Sequence, residues 1–425
     1  MTRALHLRFD GLHGPVLLSG CEALLPSIDA ILPRWLMTVA PALDGVEPVA
    51  SIRAAGPDRF EIATLSEDGG LQTFRSYDAV DTVCDMIVEL SWELVRSGSW
   101  LMCLHAAAVE IAGRLVIFPS ARRAGKSTLT ACLARRGFRV FSDDFFPVSL
   151  SAAGHLQGHA TGISPRLRLP LPAGSSAGFR EWVAAHRGPG NRRYQYLALA
   201  GDQPVFGAPC PLGAVVLLDR VSTPQPPVLV PADTAAAVEG LLFQNFARSV
   251  HSGTILQSAA GLFRAIPPQR LTYSSAEEAA DFLADAFAAW PAPPVAMAHA
   301  PEFRRVADTD LGTARPSFDP KVAYRRARGV NETDLDGARY LADASGLGIQ
   351  RLNDGALAVW RLIEEPMRVD EICDVLAEAF PQVPRERLLA DSHAALREFV
   401  ERRLATPCAR QEDGASPVAA RRRGG

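Results

Sequence analysis

Eight residues, Ser120-Ala-Arg-Arg-Ala-Gly-Lys-Ser127, carry the most legible chemistry in this sequence. They fit the pattern G-x-x-x-x-G-K-[ST] at every fixed position but the first, where Ser120 stands in place of glycine. In such a turn the backbone of Ser120, Ala121, Arg122, Arg123, Ala124 and Gly125, with the start of the next helix, wraps nucleotide phosphates. Lys126 would reach the β and γ oxygens, Ser127 would offer its hydroxyl to Mg²⁺, and Thr128 belongs to the same first helical turn. Of 44 Lys and Arg residues only Lys126 and Lys321 are lysine. A chain that otherwise fills basic positions with arginine keeps a lysine where a compact ammonium is needed and a guanidinium would crowd the site.

Further along lie two adjacent carboxylates, Asp143 and Asp144. Such a pair can divide labour in phosphoryl transfer, one holding Mg²⁺ and the other accepting a proton from the attacking hydroxyl. The bland alternative is a solvated pair capping the turn before Pro147. Asp219, at the end of Ala-Val-Val-Leu-Leu-Asp, is a rival metal-side acid with an equally good account as a turn residue beside Arg220. His105 sits in the apolar run Leu-His-Ala-Ala-Ala-Val-Glu, where a lone histidine is commonly structural. Arg192 and Arg193 lie on a Gly-Pro-Gly-Asn-Arg-Arg-Tyr loop that could close over phosphates or simply remain solvated.

The elements that must position these residues follow from periodicity. Strand Arg114 to Phe118, helix Lys126 to Arg136 stopped by Gly137, and strand Arg139 to Phe141 predict an α/β unit with its acids beside the phosphate turn in a parallel arrangement. Another buried strand is expected at Ala214 to Leu218. Upstream, Leu5, Leu7 and Phe9 alternate with polar neighbours as a strand does, and Val80, Val83, Ile87, Leu90 and Leu94 predict a helix from Asp78 to Ser97. Residues 151–212, rich in Gly, Pro and Arg, read as loops. The expected division is a β-rich region with one helix at 1–98, the phosphate-turn domain at 99–290, a proline-rich linker at 291–318, a second domain at 319–408 and a disordered tail at 409–425. That second domain starts with strand-like pieces and continues in three helices, Asp354 to Glu365, Asp370 to Phe380 and Pro384 to Leu404, a winged-helix-like order.

Composition narrows the function further. The chain has 425 residues, 48% hydrophobic and 21% charged, with a formal charge of -3, so no general basic field draws it to nucleic acid. Helix Asp370 to Phe380 carries four acids and no base, which repels a phosphate backbone. The best apolar run, Leu101 to Phe118, is broken by His105, Glu110 and Arg114, so no membrane span is expected, and the N-terminus lacks a signal peptide's apolar core. Seven scattered cysteines, never in CxxC spacing, predict neither a disulfide framework nor a zinc site. A cytoplasmic protein is the expectation.

The ordered pieces LHAAAVEIAGRLVIF, SARRAGKSTL, ARRGFRV and FSDDF together resemble the HPr kinase/phosphorylase family, in particular its HPr-kinase-related branch. The resemblance covers about residues 101–148, with weaker echoes in GISPRLRLPLP and NRRYQYL. It implies a P-loop core of the HPr-kinase-like/PEP-carboxykinase-like type and a nucleotide-dependent serine kinase using ATP and Mg²⁺. In that family scheme Lys126 and Ser127 handle phosphate and metal, and His105 stands near the acids. Asp143 is favoured as the base and Asp144 as the metal-side carboxylate, with the exchanged assignment open. The segment that follows the nucleotide site in true HPr kinases is not found in this sequence, so the resemblance does not carry over HPr as the substrate or the reverse phosphorylase reaction.

Residues 320–406, through RLNDGALAVWRLIEEPMRVDEICDVLAEAF and HAALREFVERRLA, resemble the PqqD-like peptide chaperones. That resemblance implies binding of a leader peptide of a ribosomally made, modified peptide as an added strand. Strand Ala338 to Leu341 and helix Pro384 to Leu404 are expected to form the groove. Taken together, the expectations describe a kinase that phosphorylates a serine or threonine of a precursor peptide whose leader is held by residues 319–408, with oligomerisation suggested by family analogy. The competing expectation is a non-catalytic or nucleotide-switched peptide chaperone, for which Ser120 and the bulky Arg122-Arg123 pair speak.

Overall fold

The computed structural model describes residues 4–65, 71–76, 78–119, 124–199, 201, 203–294, 296–306 and 317–408. Ser120, Ala121, Arg122 and Arg123 of the phosphate turn and the tail 409–425 therefore lie outside the described residues. The chain divides into two compact units, Met1–Ala307 and Asp308–Gly425.

The first unit opens with a six-stranded sheet in the order Met37–Pro41, Ala4–Phe9, Val16–Ser19, Ala50–Gly56, Arg59–Leu65, Leu71–Ser76. Leu5, Leu7 and Phe9 enter its core as their alternation predicts. The helix Ala79–Ser97 covers that core with Val80, Val83, Met86 and Leu90, and the Asp78 carboxylate caps it by accepting from the Asp81 N–H at 2.8 Å. A second helix, Leu25–Ile31, joins the one that periodicity predicts; with only seven residues it is too short to show a period, and a proline sits in its first turn.

The second part of this unit is a nine-stranded sheet. Strands Ala107–Ile111 and Arg114–Phe118 form a hairpin, Arg139–Ser142 adds antiparallel to the first, and Pro209–Arg220 adds parallel to the second. The expected parallel arrangement is set in a mixed sheet. The antiparallel strand Ala107–Ile111 lies between Arg114–Phe118 and Arg139–Ser142, so those two still run the same way and end at the same edge. Helices Lys126–Arg135 and Ala276–Ala286 pack on this half through Leu129, Leu133, Ala280 and Leu283.

Pro209–Arg220 then passes the sheet on to Leu156–His159, Phe145–Leu150 and Met102–His105. This order forces a curl. Arg139–Ser142 and Met102–His105 are the two ends of the path, yet Asp143 and Asp144 alone link Ser142 to Phe145, and Ala106 alone links His105 to Ala107. Three peptide steps span at most about 11 Å, so the two ends of the sheet must meet. His105 and the acid pair sit on that seam.

Residues 151–212 contain more structure than their composition predicts: strands Leu156–His159, Arg166–Arg168, Arg187–Gly190 and Tyr194–Leu197, and helix Ala177–Ala185. Strands of three or four residues are too short to display a period of two, and arginine, glycine and proline disguise them. Part of the proline-rich stretch is anchored too, with Arg305 donating to the carbonyls of Arg96 at 2.6 Å and Gly98 at 2.7 Å.

The second unit holds a meander, Asn331–Leu335, Ala338–Ala342, Ile349–Arg351, followed by helices Asp354–Leu362, Val369–Ala379 and Arg385–Glu401. Trp360 and Phe399, with ring centroids 5.4 Å apart, centre its core. A strand pair, Tyr324–Arg326 with Ala405–Pro407, ties its two ends. Among the described residues no helix is long and apolar enough to cross a membrane.

Candidate active site

The phosphate turn leaves strand Arg114–Phe118 and enters helix Lys126–Arg135 through Gly125. Gly125 has φ +96°, a left-handed conformation, and a Cβ there would lie 2.4 Å from Tyr273 Oη, so only glycine fits. Tyr273 is itself useful: its hydroxyl donates to the Ala124 carbonyl at 3.1 Å and props the end of the turn. Lys126, the first helical residue, is 7% exposed and close enough to Asp144 for its charge to stabilise that carboxylate. Lys126, Ser127 and Thr128 line a cleft of about 850 Å³ together with His105, Asp143 and Asp144. Sequence reasoning therefore grouped residues that the fold does bring together.

The curl of the sheet explains the grouping. His105 pairs with Phe145, so the residue before Phe145, Asp144, stands beside the imidazole, with His105 Nδ1 at 2.9 Å from Asp144 Oδ1. The Ser142 hydroxyl donates to the Phe145 carbonyl and receives the Asp144 N–H at 3.2 Å, which fixes the two-residue corner. On the far side Arg166 grips both acids. Its backbone N–H donates to Asp143 Oδ2 at 2.7 Å and its guanidinium to Asp144 Oδ2 at 3.1 Å.

These contacts push the two acids apart electrostatically. Burial, then the charge of Asp144, raises Asp143 to about 6, against the smaller opposing pull of Arg166 and His105. Burial raises Asp144 as well, but the hydrogen bond and charge of His105, and the charges of Arg166 and Lys126, outweigh it and hold the carboxyl below its ordinary value. One acid is thus poised to exchange a proton near neutrality and the other to stay ionised.

Asp219 does not join them. It is exposed and accepts from Thr272 Oγ1 at 3.2 Å, while its neighbour Arg220 turns into the cleft, with its Cδ near Gly125. Of the loop arginines, Arg193 lines the cleft and pairs with Asp81 at 2.7 Å, but Arg192 does not line it.

Arg166, Arg220 and Tyr273 are site residues that the sequence reasoning did not single out. Arg166 stands in GISPRLRLPLP, yet nothing local to that segment says which acid it meets. Its guanidinium also donates to Cys84 Sγ at 3.0 Å and stacks 4.6 Å from the Tyr194 ring centroid, contacts made across the fold.

The donor set fits Mg²⁺. Ser127 and Asp144 offer hard oxygens to one cleft, and magnesium characteristically takes one or two protein oxygens, leaving the rest to phosphate and water. Among the described residues no three His, Cys, Asp or Glu side chains converge as a metal cage, which this mode does not require.

In the second unit, strand Ala338–Ala342 is the centre of its meander, bonded to Asn331–Leu335 on one side and Ile349–Arg351 on the other. It has no free edge, so the groove expected at Ala338–Leu341 is not available there; an added strand can pair only with one of the two outer strands.

Residues 341–405 match the family model of Coenzyme PQQ synthesis protein D (PqqD), and the chain carries a PqqD domain there. A solved structure of the Hpr(Ser) kinase/phosphatase from Coxiella burnetii is similar over 44% of this chain and 91% of that one, at 10% identity and a TM-score of 0.23. No curated protein matches the chain.

Proposed function

We propose that the protein is an ATP-dependent kinase that phosphorylates a serine or threonine hydroxyl of a ribosomally made precursor peptide, with the PqqD domain holding the peptide's leader. One observation carries this reading. Asp143, raised to about 6, lies in the same cleft as Lys126 and Ser127, and beside an ionised Asp144. A proton acceptor, a cation for phosphate and a carboxylate for metal are the parts phosphoryl transfer needs.

In this scheme the acceptor oxygen forms a bond to the γ-phosphorus as the bond from that phosphorus to the ADP oxygen breaks. Asp143 takes the hydroxyl proton, and ADP leaves with the bonding electrons. Its basicity suits the step: at pH 7 a group at about 6 is mostly ionised, yet far more basic than an ordinary aspartate. Lys126 and Arg220 neutralise phosphate oxygens from the turn side, and Arg166 keeps both carboxylates aimed. Mg²⁺, held by Ser127 and Asp144, would supply further neutralisation of phosphate charge.

The PqqD match supports the peptide half. A leader held on residues 319–408 raises the local concentration of the acceptor, so the catalytic cleft needs only weak affinity for it. The test is incubation of the full chain with ATP, Mg²⁺ and the candidate precursor peptide, followed by mass spectrometry. Wild type adds a phosphoryl group to a serine or threonine. Lys126→Ala adds none while still binding the leader; leader binding lost with transfer would refute the division of labour.

A further inference from the structure

The helix Ala79–Ser97 has two working faces. One, through Val80, Val83, Met86 and Leu90, closes the core of the N-terminal sheet. The other carries Asp81, Cys84, Val88 and Trp92 at steps of three and four, and every one of these lines the cleft that holds Lys126 and the acid pair. The face is fixed in place: Asp81 pairs with Arg193 at 2.7 Å, and Cys84 receives the Arg166 guanidinium at 3.0 Å. Its far end is apolar. Trp92 meets Phe246 edge to face at 5.7 Å, Phe246 meets Phe145 at 5.6 Å, and Val88 is left 49% exposed beside them.

We infer that this wall, Val88, Trp92 and Phe246, is the acceptor subsite, and that it selects peptides with a bulky apolar side chain next to the hydroxyl that is phosphorylated. The inference rests on the kinase reading above. In-line transfer places the acceptor on the side of the γ-phosphorus opposite the leaving ADP oxygen. The phosphate turn holds the leaving side, and the proton acceptor marks the attacking side. An aromatic row begins at Phe145, directly after the acid pair, and runs on through Phe246 to Trp92, and all three rings line the same cleft as Asp143. An exposed valine among half-buried rings offers apolar area that a neighbouring side chain of the acceptor can cover. The N-terminal region is thereby part of the enzyme's substrate selection.

The experiment uses the full chain, ATP and Mg²⁺ with a pool of short serine-centred peptides at high concentration, varied one position to either side of the serine. Wild type favours Phe, Leu or Trp at a flanking position over Ala by about tenfold, the discrimination an apolar pocket can give. Val88→Asp, a change at a half-exposed position that leaves the helix core alone, erases the preference by raising the KM of apolar-flanked peptides to that of Ala-flanked ones, while the KM for ATP holds. Equal use of apolar and small neighbours, or a raised KM for ATP in Val88→Asp, overturns the subsite and leaves the kinase standing. A wild type that hydrolyses ATP but phosphorylates neither the serine pool nor a matching threonine-centred pool overturns the kinase reading, and the subsite with it.

Discussion

Two strands of the same curled sheet carry acids at their ends, and only one of them delivers its acids to the cleft. Arg139–Ser142 ends in Asp143 and Asp144 at the seam where the sheet meets itself, so His105, Arg166 and Lys126 converge on the pair. Pro209–Arg220 carries Asp219 as its next-to-last residue, where the exposed carboxylate meets Thr272 and solvent. In sequence the two look alike, each an apolar run followed by aspartate. What separates them is enclosure: a carboxylate acquires unusual basicity only where the chain buries it among fixed charges and donors.

The largest expected effect sharpens that contrast. Asp143→Asn should lower the rate of transfer by about a hundred- to ten-thousandfold, the usual range for a lost general base, with little change in the KM for ATP. Asp219→Asn should leave the rate within about twofold of wild type, as expected of an exposed position. Equal losses at the two acids, measured by steady-state kinetics, would break the comparison.

A smaller effect is expected at Arg166, which aims both acids without taking the proton. Arg166→Met should cost up to about a hundredfold in kcat through misplacement of the carboxylates. It should also move the acid limb of the pH profile upward, because the Arg166 charge, which methionine lacks, pulls Asp143 down, while the backbone N–H to Asp143 is kept. An unshifted limb in this variant would show that the titrating group is elsewhere.

The smallest effect is on stability. Asp143 has a folded value of about 6 against 3.8 ordinarily, so the folded chain binds more protons than the unfolded one between those values. Its contribution to stability is greatest at low pH and falls as pH rises through about 4 to 6. Asp143→Asn removes that loss, so its melting temperature should exceed wild type by a few degrees at pH 7 to 8 and by nothing near pH 4. Asp219→Asn should show no such pH-dependent gain in the same scans.

Much of the site was legible in the sequence because it is local. The phosphate turn is a contiguous motif, and Gly125 and Lys126 stand where a strand gives way to a helix. The helix Ala79–Ser97 was equally plain from its period. What the sequence left open is contact between distant residues. Whether Asp143 or Asp219 belonged to the cleft depended on a one-residue link at Ala106 and a two-residue link at Asp143-Asp144, which pull the ends of the sheet together. Arg166 could not be read as the acids' partner from a segment of prolines and arginines. Edge and centre in the C-terminal meander were likewise hidden, because Ala338–Ala342 gains its second neighbour only when Ile349–Arg351 folds back.

The most direct test is the pH dependence of kcat/KM for phosphoryl transfer, measured on wild type and Asp143→Asn. The account predicts a rate that rises through about pH 6 in wild type and a weak, flat residual rate in the variant. A limb near 6 that survives in Asp143→Asn, or a variant with full activity, would contradict it.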